Sequence, residues 1–160
     1  MLSDLTGARV RLRAEEERDT EVAGALRRVL PGCESAAGER LVVERRSDGG
    51  AVGFVEFRRD DPEKGWATVG AIAMADGERG WGYGSEAVRT IERHLEETAG
   101  ARSFRAAVSK EIGLAFYFWL RQGYRPAVQE ERWSGEGGGD IIWMVREEPR
   151  DQSPEPGVRS

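Results

Sequence analysis

The stretch ADGERGWGYGSEAVRTIERHL, residues 75–95, constrains this chain more tightly than any other. Gly80, Gly82 and Gly84 alternate directly ahead of a pattern in which Ala87, Val88, Ile91 and Leu95 share one helical face. Upstream, WATVGAIAMA reads as a small-residue strand that runs into the glycines. The unit is therefore strand, glycine loop, helix. Its helix begins with unpaired backbone N–H groups and the positive end of a dipole, an arrangement suited to an anion such as phosphate. Glycines let such a ligand approach the backbone closely.

The flanking segments place this unit inside a mixed α/β (α+β) domain with a central sheet. ARVRLRA is a first strand, with Val10 and Leu12 facing in and Arg9, Arg11 and Arg13 facing out. An acidic turn precedes a helix from about Asp19 to Leu30, with Val22, Ala25, Leu26 and Val29 at helical spacing, and Pro31-Gly32 ends it. ERLVVERR and AVGFVEFRR flank SDGG as a hairpin. After the glycine-loop helix, closed by Gly100, RSFRAAV is a short strand. GLAFYFWLRQ is apolar nearly all round and predicts a buried helix stopped by Gly123. YRPAVQEERW and DIIWMVRE predict a strand pair around an SGEGGG tip, an edge on which a second copy could form a homodimer. Residues 1–148 are expected to form one domain, and 149–160, with Pro149, Pro154 and Pro156, a disordered tail.

Several function classes are excluded at this stage. One cysteine, Cys33, allows no intramolecular disulfide, and one histidine, His94, no multi-histidine metal site, so no metal is expected. His94, between Arg93 and Glu96 on the polar part of its helix, reads as solvated surface. A net charge of −5 argues against nucleic acid as the main partner. MLSDLTGARVRLR lacks an apolar signal region, and LAFYFWL is too short to span a membrane, so a cytoplasmic location without membrane association is expected.

The loop fits phosphate-binding templates unequally. It lacks Gly-Lys-Ser/Thr, so it is no Walker A loop. From Gly82 it gives G-x-G-x-x-A, but too little chain follows for a doubly wound dinucleotide domain. RGWGYG has the form Arg/Gln-x-x-Gly-x-Gly and resembles the acetyl-CoA loop of the GNAT superfamily of acyl-CoA N-acyltransferases. VGAIAMA, GSEAVRTIERHL, FRAAV and AFYFWLRQGYRP follow in that superfamily's order, and A-x-x-F-W-x-x-x-G-Y resembles its second motif. The resemblance is strong from Val69 to Pro126.

It implies a sheet of about six to seven strands flanked by about four helices. It also implies direct transfer of an acetyl group from acetyl-CoA, a co-substrate, to an amine. Arg79 and the backbone of Gly80, Trp81, Gly82, Tyr83, Gly84 and Ser85 would hold the pyrophosphate, with the helix starting at about Ser85. The preceding strand would splay from its neighbour, and the backbone of Ile72 and Met74 would pair with the pantetheine amides.

The resemblance thins at the catalytic positions. Trp119 stands where many relatives carry a tyrosine acid, and an indole donates a hydrogen bond but does not ionise usefully. Tyr117 should point elsewhere, being about 200° round the helix, and reads as core. Water, Tyr83 or Tyr124 could replace the acid. Ile112 stands where many relatives have Asn. Glu56 and Glu111 are candidate bases, and each also reads as a surface carboxylate. The acidic group Glu15, Glu16, Glu17, Asp19 and Glu21 reads either as a rim for a cationic amine or as dipole-matched helix-start acids. The acceptor stays open between a small amine, an antibiotic and a protein amine. A non-catalytic acyl-CoA-binding module is the alternative function.

Overall fold

The computed structural model describes residues 4–28, 38–75, 77–78, 80–110, 113–127 and 141–147. Eight strands form one sheet in the order β1-β2-β3-β4-β5-β6-β8-β7. They are β1 (Leu5–Thr6), β2 (Val10–Arg13), β3 (Glu39–Arg45), β4 (Ala51–Arg59), β5 (Trp66–Met74), β6 (Ser103–Ser109), β7 (Arg125–Pro126) and β8 (Ile141–Glu147). Among the described residues there are α-helices at α1 (Thr20–Arg28), α2 (Tyr83–Ala99) and α3 (Gly113–Arg121), and a single 3-10 turn at Glu17–Asp19. The expectation of six to seven strands and about four helices is thus corrected to eight and three. The missed strand β1 is two residues long and carries no period to read.

Neighbouring strands run antiparallel except β5 and β6, which are parallel and joined through α2. The main core lies between the sheet and α2: Val10, Leu12, Val43, Val55 and Phe57 meet Ala87, Val88, Ile91 and Leu95, all buried. Leaving β5, Gly82 in the left-handed region (φ 84°) precedes α2, and Gly100 (φ 65°) closes it. On the opposite sheet face Val22 of α1 packs against Phe54 and Ala71.

Two expectations about faces fail for a shared reason. β2 alternates as read at Val10 and Leu12, but Arg13 is buried: Nη1 and Nη2 bond Asp19 at 2.7 and 3.0 Å, and Nε bonds Glu44 at 2.5 Å. The 3-10 turn and α1 cover the face that alternation assigned to solvent. Conversely, α3 packs on one side only, leaving Leu114 82% and Tyr117 60% exposed while Trp119 is buried. Tyr117 is therefore not a core residue. The end of the first predicted helix past Arg28, the SGEGGG tip and the C-terminal tail lie outside the described residues.

Candidate active site

The β5–β6 ladder pairs only Trp66–Val69 with Ser103–Ala106. Past Val69, β5 stays bonded to β4, and β6 stays bonded to β8 through Ser109. The two parallel strands therefore part at Gly70 and leave a wedge bounded by Gly70–Met74 on one side. Ile72 and Met74 lie on this free length, with side chains packed into the core. Their backbone, not their side chains, is what they can offer a ligand.

At the open end of β5 comes the glycine loop. Gly80 and Gly82 take φ of 86° and 84°, where an L side chain is strained. Gly84 has a different role: a Cβ there would come within 3.2 Å of the Phe118 ring, so glycine lets α2 and α3 approach. Trp81 is exposed on the loop, and Tyr83, not Ser85, is the first helical residue. Ser85 is tied to α3, its hydroxyl accepting from Gln122 Nε2 at 2.7 Å. Arg79 lies outside the described residues, as do Glu111 and Ile112.

At the closed end of the wedge sits Glu56. The β4–β5 register pairs Glu56 with Ala71 but Phe57 with Val69, so Gly70 is the extra residue of a bulge. A Cβ on Gly70 or on Gly38 would land on the Glu56 carboxylate, so both positions require glycine to hold it. The residue is 2% exposed, which corrects its reading as a surface acid. Its Oε2 and the Nε of Arg58 are buried 4.0 Å apart, and neither atom has a hydrogen-bond partner among the described residues. Burial pushes the Glu56 carboxyl above its ordinary value, outweighing the opposing charges of Arg58 and Arg40. A buried carboxyl raised in this way is suited to take up a proton as a general base.

Beside it runs a polar chain that no sequence pattern announced. Arg58 Nε lies 3.8 Å from Asp61, and Asp61 lies 3.2 Å from Arg105. Arg105 is fully buried, donates to Thr68 Oγ1 at 2.8 Å and stacks 4.0 Å over Trp143.

The candidates for a proton donor separate clearly. Trp119 is 3% exposed and wedged edge-on between Phe118 and Tyr124, at ring distances of 5.2 and 4.7 Å. Tyr124 is fully buried, and its hydroxyl donates to Glu92 at 2.6 Å, which commits it to the core. Tyr83 remains half-buried at the start of α2. Of the acidic group, Asp19 is consumed by Arg13, whereas Glu15, Glu16, Glu17 and Glu21 are exposed. His94 is half-buried, with Nε2 shielded from solvent and unbonded among the described residues, rather than fully solvated. A separate cavity of about 320 Å³ lies between the β1–β2 turn and α2, away from the wedge, lined in part by Glu86, Arg89 and Arg93.

Comparison with known proteins agrees with this geometry. A model of the acetyltransferase (GNAT) family matches residues 9–124. The structure of an acetyltransferase from Agrobacterium tumefaciens superposes with a TM-score of 0.74 at 14% identity, covering 92% of this chain and 96% of that one. A GCN5-related N-acetyltransferase from Brucella melitensis gives 0.67 at 16% identity, covering 91% and 78%. A spermidine N-acetyltransferase from Vibrio cholerae, described as dodecameric, gives 0.64 at 17% identity, covering 88% and 95%. At these identities the structures share the fold. No curated protein matches the chain.

Proposed function

The chain belongs to the acetyltransferase (GNAT) family, and from that premise we propose that it moves an acetyl group from acetyl-CoA directly onto an amine, with Glu56 as the base. The observation that carries this reading is the placement of three features along one strand. The glycine loop follows the far end of β5, the free backbone of Ile72 and Met74 lies along its C-terminal part, and the Glu56 carboxylate lies over Gly70, where the wedge closes.

In this reading the first turn of α2 and the N–H groups of the loop, with Arg79, hold the pyrophosphate. The wedge backbone aligns the pantetheine, and the thioester reaches the Glu56 end. An amine arrives protonated, since unperturbed values are about 7.7–8.0 for an α-amine and about 10.4 for lysine. Glu56 takes that proton. The nitrogen lone pair attacks the thioester carbon, an N–C bond forms, the C–S bond breaks and the sulfur leaves with its electron pair. A thiol with a pKa of about 8.5 leaves tolerably as thiolate and takes up, through water, the second proton that the nitrogen sheds as the amide forms, so Trp119 need not act.

A binding module without turnover drew its support from Trp119 and from the want of a base; Glu56 fills the second gap. The acceptor is an amine of a small molecule or of a protein. A cytoplasmic location and a homodimer built on the C-terminal edge complete the proposal, and the mass in solution tests the latter. The function itself is tested by thiol release from acetyl-CoA with a panel of primary amines. Amine-dependent release that Glu56→Gln abolishes supports it. Release from no amine, or equal release by the variant, contradicts it.

A further inference from the structure

Arg9 precedes β2 and falls on the face that strand alternation gave to solvent. Its side chain is half exposed, yet its guanidinium touches three members of the glycine loop and helix: Trp81, Tyr83 and Glu86. Nη1 donates to the Trp81 carbonyl at 2.8 Å, Nε donates to Glu86 Oε1 at 3.1 Å, and the group stacks 5.1 Å over the Tyr83 ring. A Cβ on Gly82 would lie 3.0 Å from Nη2.

We infer that Arg9 is a positioning residue that sets the loop in its anion-accepting shape; this rests on the reading of that loop as the acetyl-CoA site. The argument is one of peptide geometry. In a planar trans peptide the C=O and the following N–H point in opposite directions. Holding the Trp81 carbonyl against Arg9 therefore turns the Gly82 N–H away from the protein, toward the side from which a phosphate arrives. Gly82 tolerates this peptide orientation because its φ of 84° suits glycine. Glu86 does a separate job. Its Oε2 accepts from the backbone N–H groups of Arg9 at 2.6 Å and Val10 at 3.0 Å, docking the first turn of α2 onto β2. Those two bonds use the backbone of Arg9 and Val10, so they survive loss of the Arg9 side chain. Glu86 also balances much of the Arg9 charge, which leaves Arg9 to shape the loop rather than to grip phosphate itself.

This division makes the inference separable from a structural role. Arg9→Ala is expected to weaken acetyl-CoA binding about tenfold, measured by calorimetry, with kcat at saturating acetyl-CoA within about twofold of wild type. The melting temperature without ligand should stay within a few degrees, because Glu86 keeps its backbone donors. Arg9→Lys retains the charge but lacks the fixed planar fork that spans the carbonyl and Glu86, and it should recover only part of the affinity. Wild-type affinity in Arg9→Ala overturns the inference. So does full recovery by Arg9→Lys, or a large fall in melting temperature with unchanged affinity in the folded fraction. If wild type itself binds no acetyl-CoA, the reading of the loop fails first, and the role of Arg9 falls with it.

Discussion

Asp19 and Glu56 are both buried carboxylates with arginines beside them, yet their surroundings drive them in opposite directions. Direct bonds from Arg13 hold Asp19 below its ordinary value of 3.8. At Glu44 burial pushes upward, but bonds from Arg13 and Arg11 outweigh it and the net shift is down from 4.5. These two groups therefore contribute stability above those ordinary values, and it is lost as pH falls through their lower folded values. Asp19→Asn should destabilise the fold by about 3–5 kcal/mol at neutral pH, because Arg13 loses a buried counter-charge. The variant should also show a shallower loss of melting temperature below about pH 4, which thermal melts across pH would check. Glu56 has the reverse sign: its stability contribution is present below 4.5 and lost as pH rises through its raised value. Glu56→Gln should thus melt no lower than wild type at neutral pH while turnover falls about 10²–10⁴-fold. The acid limb of the wild-type rate profile should lie above the ordinary carboxylate value. Glu56 and Asp19 were both visible in the sequence, but their states were not. Alternation along a strand tells which residues share a face, and it says nothing about what covers that face.

At the scale of elements, the glycine loop was the most legible part because backbone geometry leaves few residues a choice. Left-handed φ at Gly80 and Gly82 and the close contact at Gly84 all demand glycine, though for two different reasons. Gly82→Ala should add strain of about 1–3 kcal/mol in the loop and crowd Arg9, lowering acetyl-CoA affinity more than it lowers kcat. α3 was misread because overall apolarity does not specify a direction: Leu114 and Tyr117 lie on its uncovered side. The same helix explains the odd residue of the second motif. The Trp119 ring fills core space between Phe118 and Tyr124, so Trp119→Tyr should not raise turnover. A marked gain in kcat from that variant would show that the position faces the chemistry after all. The wedge itself was expected only through the family resemblance. Its closed end depends on a bulge at Gly70 and a register between distant segments, which no local pattern records.

Across the whole molecule, the order of elements was readable from period and punctuation, whereas the sheet margins were not. Both edges, β1 and β7, are two-residue strands, too short to show alternation. Among the described residues no helix is long and apolar enough to cross a membrane. The central claim is that loop, wedge and carboxylate form one acetyl-CoA site. It is tested most directly by thermal melts with saturating acetyl-CoA beside matched NAD. At about 100 times its dissociation constant a ligand adds about 2.7 kcal/mol, and each kcal/mol moves the midpoint by about 2–4 °C in a domain of this size. The account predicts a rise of about 5–10 °C with acetyl-CoA and none with NAD. No rise with acetyl-CoA, or an equal rise with NAD, would contradict it.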